Sequence, residues 1–349
     1  DLNYLLPARI RRIDYKKGPY YAREGDFSSA GSARIGLVNS LSKNIARLTL
    51  GQGQQVRGLL AGSQKFGDGN LLAGLELQSQ DGPWTTPMDH RKANGVLRYS
   101  FGSGNSSGSL TAMTYKARWA ATDQIPARAV EDGRIGRFDT IDPSDGGKSR
   151  RISLSGHWQR QGDLKQDPNA ATLRASFYAI DNRLNLWSNF TYFLDDPVNG
   201  DQFEQAEHRR TLGGEFAAVW PLSAFDAEHQ VTAGAQLRSD RLAPVGLYLS
   251  TQRARTATTR EDRVNQNQVG VFAELYTDWQ PWLRSTIGLR ADTARFNVQS
   301  IASTARGKAS DTLVSPKLSL ALGPWAKTEF FAAWGTGFHS NDARGATDE

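Results

Sequence analysis

The chain has 349 residues, a formal net charge of +6 at pH 7, 38% hydrophobic residues and no cysteine. That length allows two or more ordinary domains, and the missing thiols exclude a disulfide framework or a thiolate metal site. No run approaches the ~18–20 apolar residues of a transmembrane helix, but a transmembrane barrel is permitted, because its strands need only ~9–11 residues with every second one facing lipid.

The chain opens on Asp1-Leu2-Asn3-Tyr4, without the basic and apolar regions of a signal peptide. Residues 1–41 read apart from the rest. A short strand is predicted at 10–15, ended by Gly18-Pro19, then a Gly/Ser/Ala-rich turn and a second strand at 32–38. The piece is too short to bury a core of its own, so it must lean on something else.

From 42 onward strands and connections alternate. Strands are predicted at 44–50, 54–63, 69–79, 93–102, 107–119, 149–160, 170–194, 209–220, 229–240, 267–279, 283–297, 312–323 and 327–339, about thirteen in all. In 269–278 one face carries Val269, Val271, Ala273 and Leu275, and the other Gly270, Glu274 and Asp278. Segments 152–158 and 231–238 repeat the period of two, whereas the faces of 107–119 cannot be assigned. Short connections at 65–68, 102–108, 161–169, 222–228, 280–282 and 323–325 alternate with long ones at 80–92, 120–148, 195–208, 241–266 and 298–311. Short turns at one end and long loops at the other are the outer-membrane barrel arrangement. Trp158, Trp220, Trp279, Trp282 and Trp325 lie beside short turns, as an interfacial girdle requires; strand-end core packing is the other reading.

Four segments resemble TonB-dependent outer-membrane receptors. They are Lys17-Gly18-Pro19-Tyr20-Tyr21-Ala22-Arg23-Glu24-Gly25-Asp26-Phe27 through Ile35, the strand and loop 178–197, the hairpin 272–290 with Glu274 and Gly288-Leu289-Arg290, and Ser315-Pro316-Lys317 through Gly337 to Gly345. The resemblance implies an all-β fold: residues 1–41 form the C-terminal end of a plug domain, and 42–349 part of a transmembrane antiparallel β-barrel. The family's barrel has about twenty-two strands, so an internal fragment of a longer protein is expected. The implied function is energy-coupled import of a scarce, bulky ligand across the Gram-negative outer membrane, most simply a ferric siderophore or similar chelate; cobalamin and glycans are the family's other ligand classes. The implied partners are TonB, through a missing N-terminal box, and outer-membrane lipid and lipopolysaccharide. A passive porin shares the strands but lacks a plug, and a β-rich surface binding protein is a further alternative. Lys and Arg are spread along the chain, so no nucleic-acid partner is expected.

Within that frame Arg12, Lys17 and Arg34 of the plug segment, with Glu215 and Glu274 at lumen positions, are candidates for plug–barrel ion pairs that gate the pore. The alternative is that each faces lumen water. Tyr20, Tyr21 and Arg23 follow the Gly18-Pro19 turn and suit an anionic, catecholate-like ligand; packing against the barrel wall is the competing role. Loop 120–148 carries Asp123, Glu131, Asp132, Asp139, Asp142 and Asp145, but Asp142-Pro143-Ser144-Asp145-Gly146 lacks the full calcium-loop spacing and reads as a solvated loop. Asp196 to Asp201 reads as turn chemistry before calcium. The five histidines lie on different elements, and no nucleophile elbow or phosphate loop is present, so no metal, cofactor or enzymatic activity is expected.

Overall fold

A computed structural model of the chain describes residues 3–301, 306–340 and 342–347. After a 3-10 turn at Pro7–Arg9, strands β1 (Ile10–Lys17) and β2 (Gly31–Leu37) pair antiparallel as a separate hairpin. Then follow β3 (Ile45–Gly51), β4 (Gln55–Phe66), β5 (Gly69–Gln80), β6 (His90–Ser103) and β7 (Ser106–Ala120). A short helix α1 (Ala127–Glu131) precedes β8 (Gly146–Arg160), β9 (Thr172–Ser188), β10 (Phe203–Ala224) and β11 (Ala227–Thr251). The last elements are β12 (Ala254–Gln280), β13 (Leu283–Ser300), β14 (Arg306–Trp325), β15 (Thr328–Gly335) and α2 (Ala343–Ala346). Among the described residues β3 to β15 form one thirteen-stranded sheet in strict chain order, every neighbouring pair antiparallel.

Pleat alternation gives the sheet two chemically opposite faces. One carries Val269, Val271, Leu275, Ile287 and Leu289, all exposed, with Leu60, Leu75, Leu97 and Leu212 on the strands further round. The other buries Glu76, Asn94, Thr111, Asp240 and Arg290. Apolar side chains face out and charged ones face in, the inverse of a soluble core. The predicted faces of 269–278 and 152–158 are the observed ones: Ile152 and Leu154 are exposed outward. The faces of β7 are now assigned, with Ser109, Thr111, Tyr115 and Ala117 buried inward and Leu110 outward.

Residues 3–41 lie against this inner face. Leu6 packs on Leu59 and Val96, Asn94 donates to the Asn3 carbonyl (2.7 Å), and Arg98 holds Asn39 (2.9 Å). The β1–β2 loop meets β10 to β13, and Lys317 of β14 approaches the backbone of the segment after β15. One short segment touching strands from β4 to β13 on the same face requires the sheet to curl around it.

The connections depart from expectation at two places. Turns 67–68, 104–105, 225–226, 281–282 and 326–327 are tight, and 161–171 is the one longer connection at that end. The opposite end carries the connections 81–89, 121–145 and 189–202, close to prediction. The predicted loop 241–266 is instead strand: β11 and β12 run on to a two-residue turn at Gln252-Arg253, both at positive φ (51° and 67°). Such a turn matches the twist of the flanking strands, which lets the hairpin continue. At ~3.4 Å per residue, strands of 25 and 27 residues reach far beyond the ~9–11 that cross a bilayer. Predicted connection 298–311 likewise falls mostly on β13 and β14; its residues 302–305, with Asp1, Leu2, Asn341, Asp348 and Glu349, lie outside the described residues.

Candidate gating contact and lumenal cavity

The loop between β1 and β2, residues 18–30, is fastened to the inner wall by charge and by shape. Arg23 makes a forked pair with Glu215 of β10, Nη2 to Oε1 at 2.5 Å and Nε to Oε2 at 2.9 Å. Gln236 of β11 donates both to Glu215 (2.7 Å) and to the Arg23 carbonyl (3.0 Å). The backbone N–H of Ala22 donates to Glu274 of β12 (3.0 Å). Arg290 of β13, only 4% exposed, donates to the Arg23 carbonyl (3.1 Å) while its other nitrogens hold Asp292 (2.6 and 2.7 Å). Asp26 accepts from Gln268 (2.7 Å) and from the backbone N–H and hydroxyl of Ser340 (2.8 and 2.5 Å), and Phe27 meets the His339 ring edge-on at 4.2 Å.

Small residues permit the approach. Ala22 is fully buried against Ala217 and Phe272. A Cβ placed on Gly288 would sit 2.8 Å from the Ala22 Cβ, and one on Gly25 would strike the Arg290 guanidinium at 2.5 Å. The Ala22-Arg23-Glu24-Gly25 spacing therefore puts a cation between two positions that let backbone reach the wall.

The candidate gating residues are distributed unevenly. Glu215 and Glu274 both touch the β1–β2 loop, through Arg23 and the Ala22 N–H. Arg12 instead pairs with Asp14 on its own strand (3.0 Å, both well exposed), and Lys17 is exposed at the hairpin end. Arg34 lies in the field of Arg23, Glu24 and Glu215; burial and then the Arg23 charge lower its pKa, and among the described residues it forms no ion pair. Of the candidate ligand residues, Arg23 is occupied by Glu215. Tyr20 folds over Gly18, and Tyr21 lies under the Lys16 ammonium (4.4 Å), which also holds Glu24 (2.9 Å). Arg290 and Asp26 lie in the family-like segments but, like Gln236, were not among the candidate site residues. Phe272, an apolar residue on an otherwise polar face, was the signal that marks the docking point.

Nearer the end that bears the long connections, the inner wall and the N-terminal residues enclose a cavity of about 880 Å³. Tyr4, Tyr115, Trp119 and Tyr178 line it together with Arg151, Arg209 and Arg238. The Arg151 guanidinium stacks on the Tyr4 ring (4.4 Å), and its Nε is buried without a hydrogen-bond partner. Glu207 also lines it and pairs with Arg209 (3.0 Å), and Arg238 is paired with Asp240 (2.6 Å), so Arg151 beside the aromatic rings is the cation turned to an anionic guest.

Above the cavity three connections are tied together. Gln202 donates to Ser144 Oγ (2.7 Å) and Asp145 Oδ1 (2.9 Å), Asn189 donates to Asp142 (3.0 Å), and Arg253 at the β11–β12 tip donates to the Ser144 and Asp145 carbonyls (2.5 and 2.9 Å). Burial, with the neighbouring Asp142 and Asp123 charges, pushes the Asp145 carboxyl up to about 8. The acidic stretch expected as a solvated loop is thus fastened to its neighbours at its C-terminal end. Among the described residues no group of three or more His, Asp or Glu is placed to hold a metal ion.

Comparison with known proteins agrees with this architecture. The family described as TonB dependent receptor-like, beta-barrel matches residues 78–348. The unliganded ferric citrate transporter FecA superposes with a TM-score of 0.79 at 10% identity, over 96% of this chain and 50% of that one. The open form of the ferric-catecholate import receptor Fiu from E. coli K12 gives 0.74 at 11% identity, over 95% and 60%. The copper transporter OprC gives 0.70 at 20% identity, over 97% and 52%. At these identities the likeness concerns the fold, and the chain spans about half the length of the structures it matches. Among curated proteins none matches the sequence. The inward polar face, the strand-by-strand meander and the family match over well more than half of the chain agree: it belongs to the TonB-dependent receptor-like β-barrel family.

Proposed function

We propose that this chain is the plug end and barrel wall of an energy-coupled importer in the Gram-negative outer membrane, carrying a bulky anionic chelate, most simply a ferric siderophore. One observation carries the reading: residues 18–30 lie on the inner face and are clipped to four adjacent strands by the Arg23–Glu215 pair, the Gln236 bond to the Arg23 carbonyl, the Ala22–Glu274 bond and Arg290. A passive porin has no need of a segment fixed across its lumen. Backbone bonds and one ion pair hold firmly at rest and let go under a directed pull, which is the work TonB would perform. The Tyr- and Arg-lined cavity supports an anionic guest, and ferric citrate and ferric catecholates are the cargoes named for FecA and Fiu.

The test is uptake of radio-iron as citrate and catecholate chelates by cells whose own ferric-chelate receptors are deleted, with the copper ion as a control cargo. Import of one chelate that stops when TonB is removed is the expected result. Diffusion of small solutes independent of TonB would replace the importer with the porin.

A further inference from the structure

The N-terminal hairpin is fastened to the wall by charge on one side only. Toward β10–β13 its loop makes the Arg23–Glu215 pair and the backbone bonds described above. Toward β6–β9 cation faces cation. Arg9, in the turn before β1, is only 1% exposed, and its Nε and Nη2 are buried without a hydrogen-bond partner. Burial and then the charge of Arg98 on β6 lower its pKa to about 10. Arg98 itself bonds to neutral groups, Thr111 (2.7 Å) and Asn39 (2.9 Å). On β9 the Nε of Arg174 is likewise buried without a partner, and Arg174 acts on Arg34 of β2. His157 of β8 stands in the fields of Arg23, Arg174, Arg34 and Arg98 together. Among the described residues Arg9, Arg34, Arg98 and Arg174 make no ion pair. The nearby carboxylates are committed elsewhere: Glu215 to Arg23, Glu24 to Lys16, and Asp14, opposite Arg34 on β1, to Arg12. Burying a charge without a counter-charge is costly, so the space among these arginines suits an anion.

The wall between them carries the matching donors. Ser100, Ser109, His157 and Ser176 stand side by side in cross-strand register on β6 to β9. Arg98 lies one inward position nearer the long connections, and Arg174 one inward position nearer the tight turns. Hydroxyls and a ring N–H donate to an anionic oxygen, and a guanidinium does so with its charge as well. The row meets its first carboxylate at Glu215 on β10, which Arg23 already holds. Neighbouring strands lie ~4.8 Å apart, so β6 and β9 are ~14 Å apart along the wall. A guest with two or more anionic groups matches both that width and the number of cations. The row also continues the cavity described above, because Tyr178 lines the cavity and Ser176 is the next inward residue on β9.

We infer that Arg9 and Arg34 of the hairpin and Arg98 and Arg174 of the wall, with His157 and the serines between them, bind a polyanion carrying two or more carboxylate or phosphate groups. The guest fastens the hairpin to β6–β9 as the Arg23–Glu215 pair fastens it to β10–β13. With the site filled, both sides of the hairpin are clipped. With it empty, the β6–β9 side is held against the mutual repulsion of its cations. Filling the site requires only the hairpin and the wall, so it does not depend on import.

The experiment uses the intact receptor, extracted from outer membranes in mild detergent, and follows hydrogen exchange in the two hairpin strands, 10–17 and 31–37. The probes are tricarballylate, a tricarboxylate, and pyrophosphate, each compared with sulfate and chloride at equal ionic strength. Protection should rise with either polyanion and reach about ten-fold at roughly ten times its Kd, because a guest held only by the docked hairpin shifts docking in proportion to concentration over Kd. The polyanion that acts at the lower concentration tells a carboxylate site from a phosphate site. Arg98→Gln with Arg174→Gln should abolish the rise and leave protection at 22–25, beside the Arg23–Glu215 pair, as it was. Arg174→Glu, which supplies the missing anion from the wall itself, should protect 31–37 with no polyanion present. Equal protection in polyanion and in chloride overturns the site without any variant. Sulfate acting as strongly as the polyanions overturns the bridge, by leaving a single-point site. TonB-dependent uptake is scored separately in cells, and its absence speaks against the importer and not against anion binding.

Discussion

Arg23 and Glu215 keep 25% and 12% of their side-chain surface, so their pair is neither a surface bridge nor a fully dry one. Exposed pairs contribute about 0–1 kcal/mol, whereas breaking a buried one costs about 3–5 kcal/mol because a charge is left uncompensated. The forked geometry and the extra bond from Gln236 place this contact between those limits. Arg23→Ala should therefore loosen the loop and raise the entry of large hydrophilic antibiotics several-fold. Glu215→Arg alone should do the same, and the swapped pair Arg23→Glu with Glu215→Arg should restore the barrier. At Glu274 the partner is a backbone N–H, which needs an acceptor and not a charge. Glu274→Gln should be silent there while Glu274→Lys opens the pore. Antibiotic susceptibility of whole cells reads all five variants, and an unchanged barrier in Arg23→Ala would remove this pair from the lock.

The connections at the long-loop end behave as one element. Gln202, Arg253 and the Ser144-Asp145 backbone join three connections, and Asp145 is buried among Asp142 and Asp123. A carboxyl raised to about 8 is protonated in the folded network and ionised in the unfolded chain between about pH 4 and pH 8. The folded state then binds more protons than the unfolded one, so stability falls as pH rises through that window and levels off above it. Hydrogen exchange corrected for intrinsic rate should show 121–145 and 189–202 losing protection from pH 6 to pH 9, and Asp145→Asn should flatten that dependence. Equal pH slopes in the two proteins would detach the effect from Asp145. At this scale the sequence was informative where period and turn chemistry were local. All thirteen strands overlap a predicted one, because several alternate clearly and the connections between them carry turn residues. The β11–β12 extension was missed because Gln252-Arg253 lacks the Asn-Gly or Asp-Gly signal of a two-residue turn. The candidate gating site was half legible for a related reason. Glu215 and Glu274 follow from strand parity, but which cation of the N-terminal hairpin meets them depends on how that hairpin sits against the inner face. That placement is set by Ala22, Gly25 and Gly288 together, a contact spanning more than 250 residues of sequence.

For the whole molecule, the decisive relation is between a wall that is apolar outside and a segment held across its polar inside. Trp282 and Trp325 meet at a tilt, 6.1 Å apart, beside two tight turns, with His229 against Trp279 at the same end. They complete the lower margin of the apolar band, where amphipathic rings favour a membrane interface. Under the proposed function residues 18–30 move while a wall anchored in this way stays still, so tying the two together should block import. The cysteine-free sequence makes this simple to test. The Ala22 Cβ and a Cβ built on Gly288 lie 2.8 Å apart, and a disulfide needs about 3.8 Å between Cβ atoms, a shift of roughly 1 Å. Ala22→Cys with Gly288→Cys should oxidise readily in the envelope. The oxidised receptor should bind its chelate at the cell surface as well as the wild type, because the cavity lies toward the other end, yet fail to import it. Reduction should restore import. Each single cysteine variant should behave the same with and without reductant, which separates the cross-link from the substitutions themselves. If the cross-linked receptor imports at the wild-type rate, residues 18–30 stay on the wall throughout, and the path must open elsewhere in the lumen.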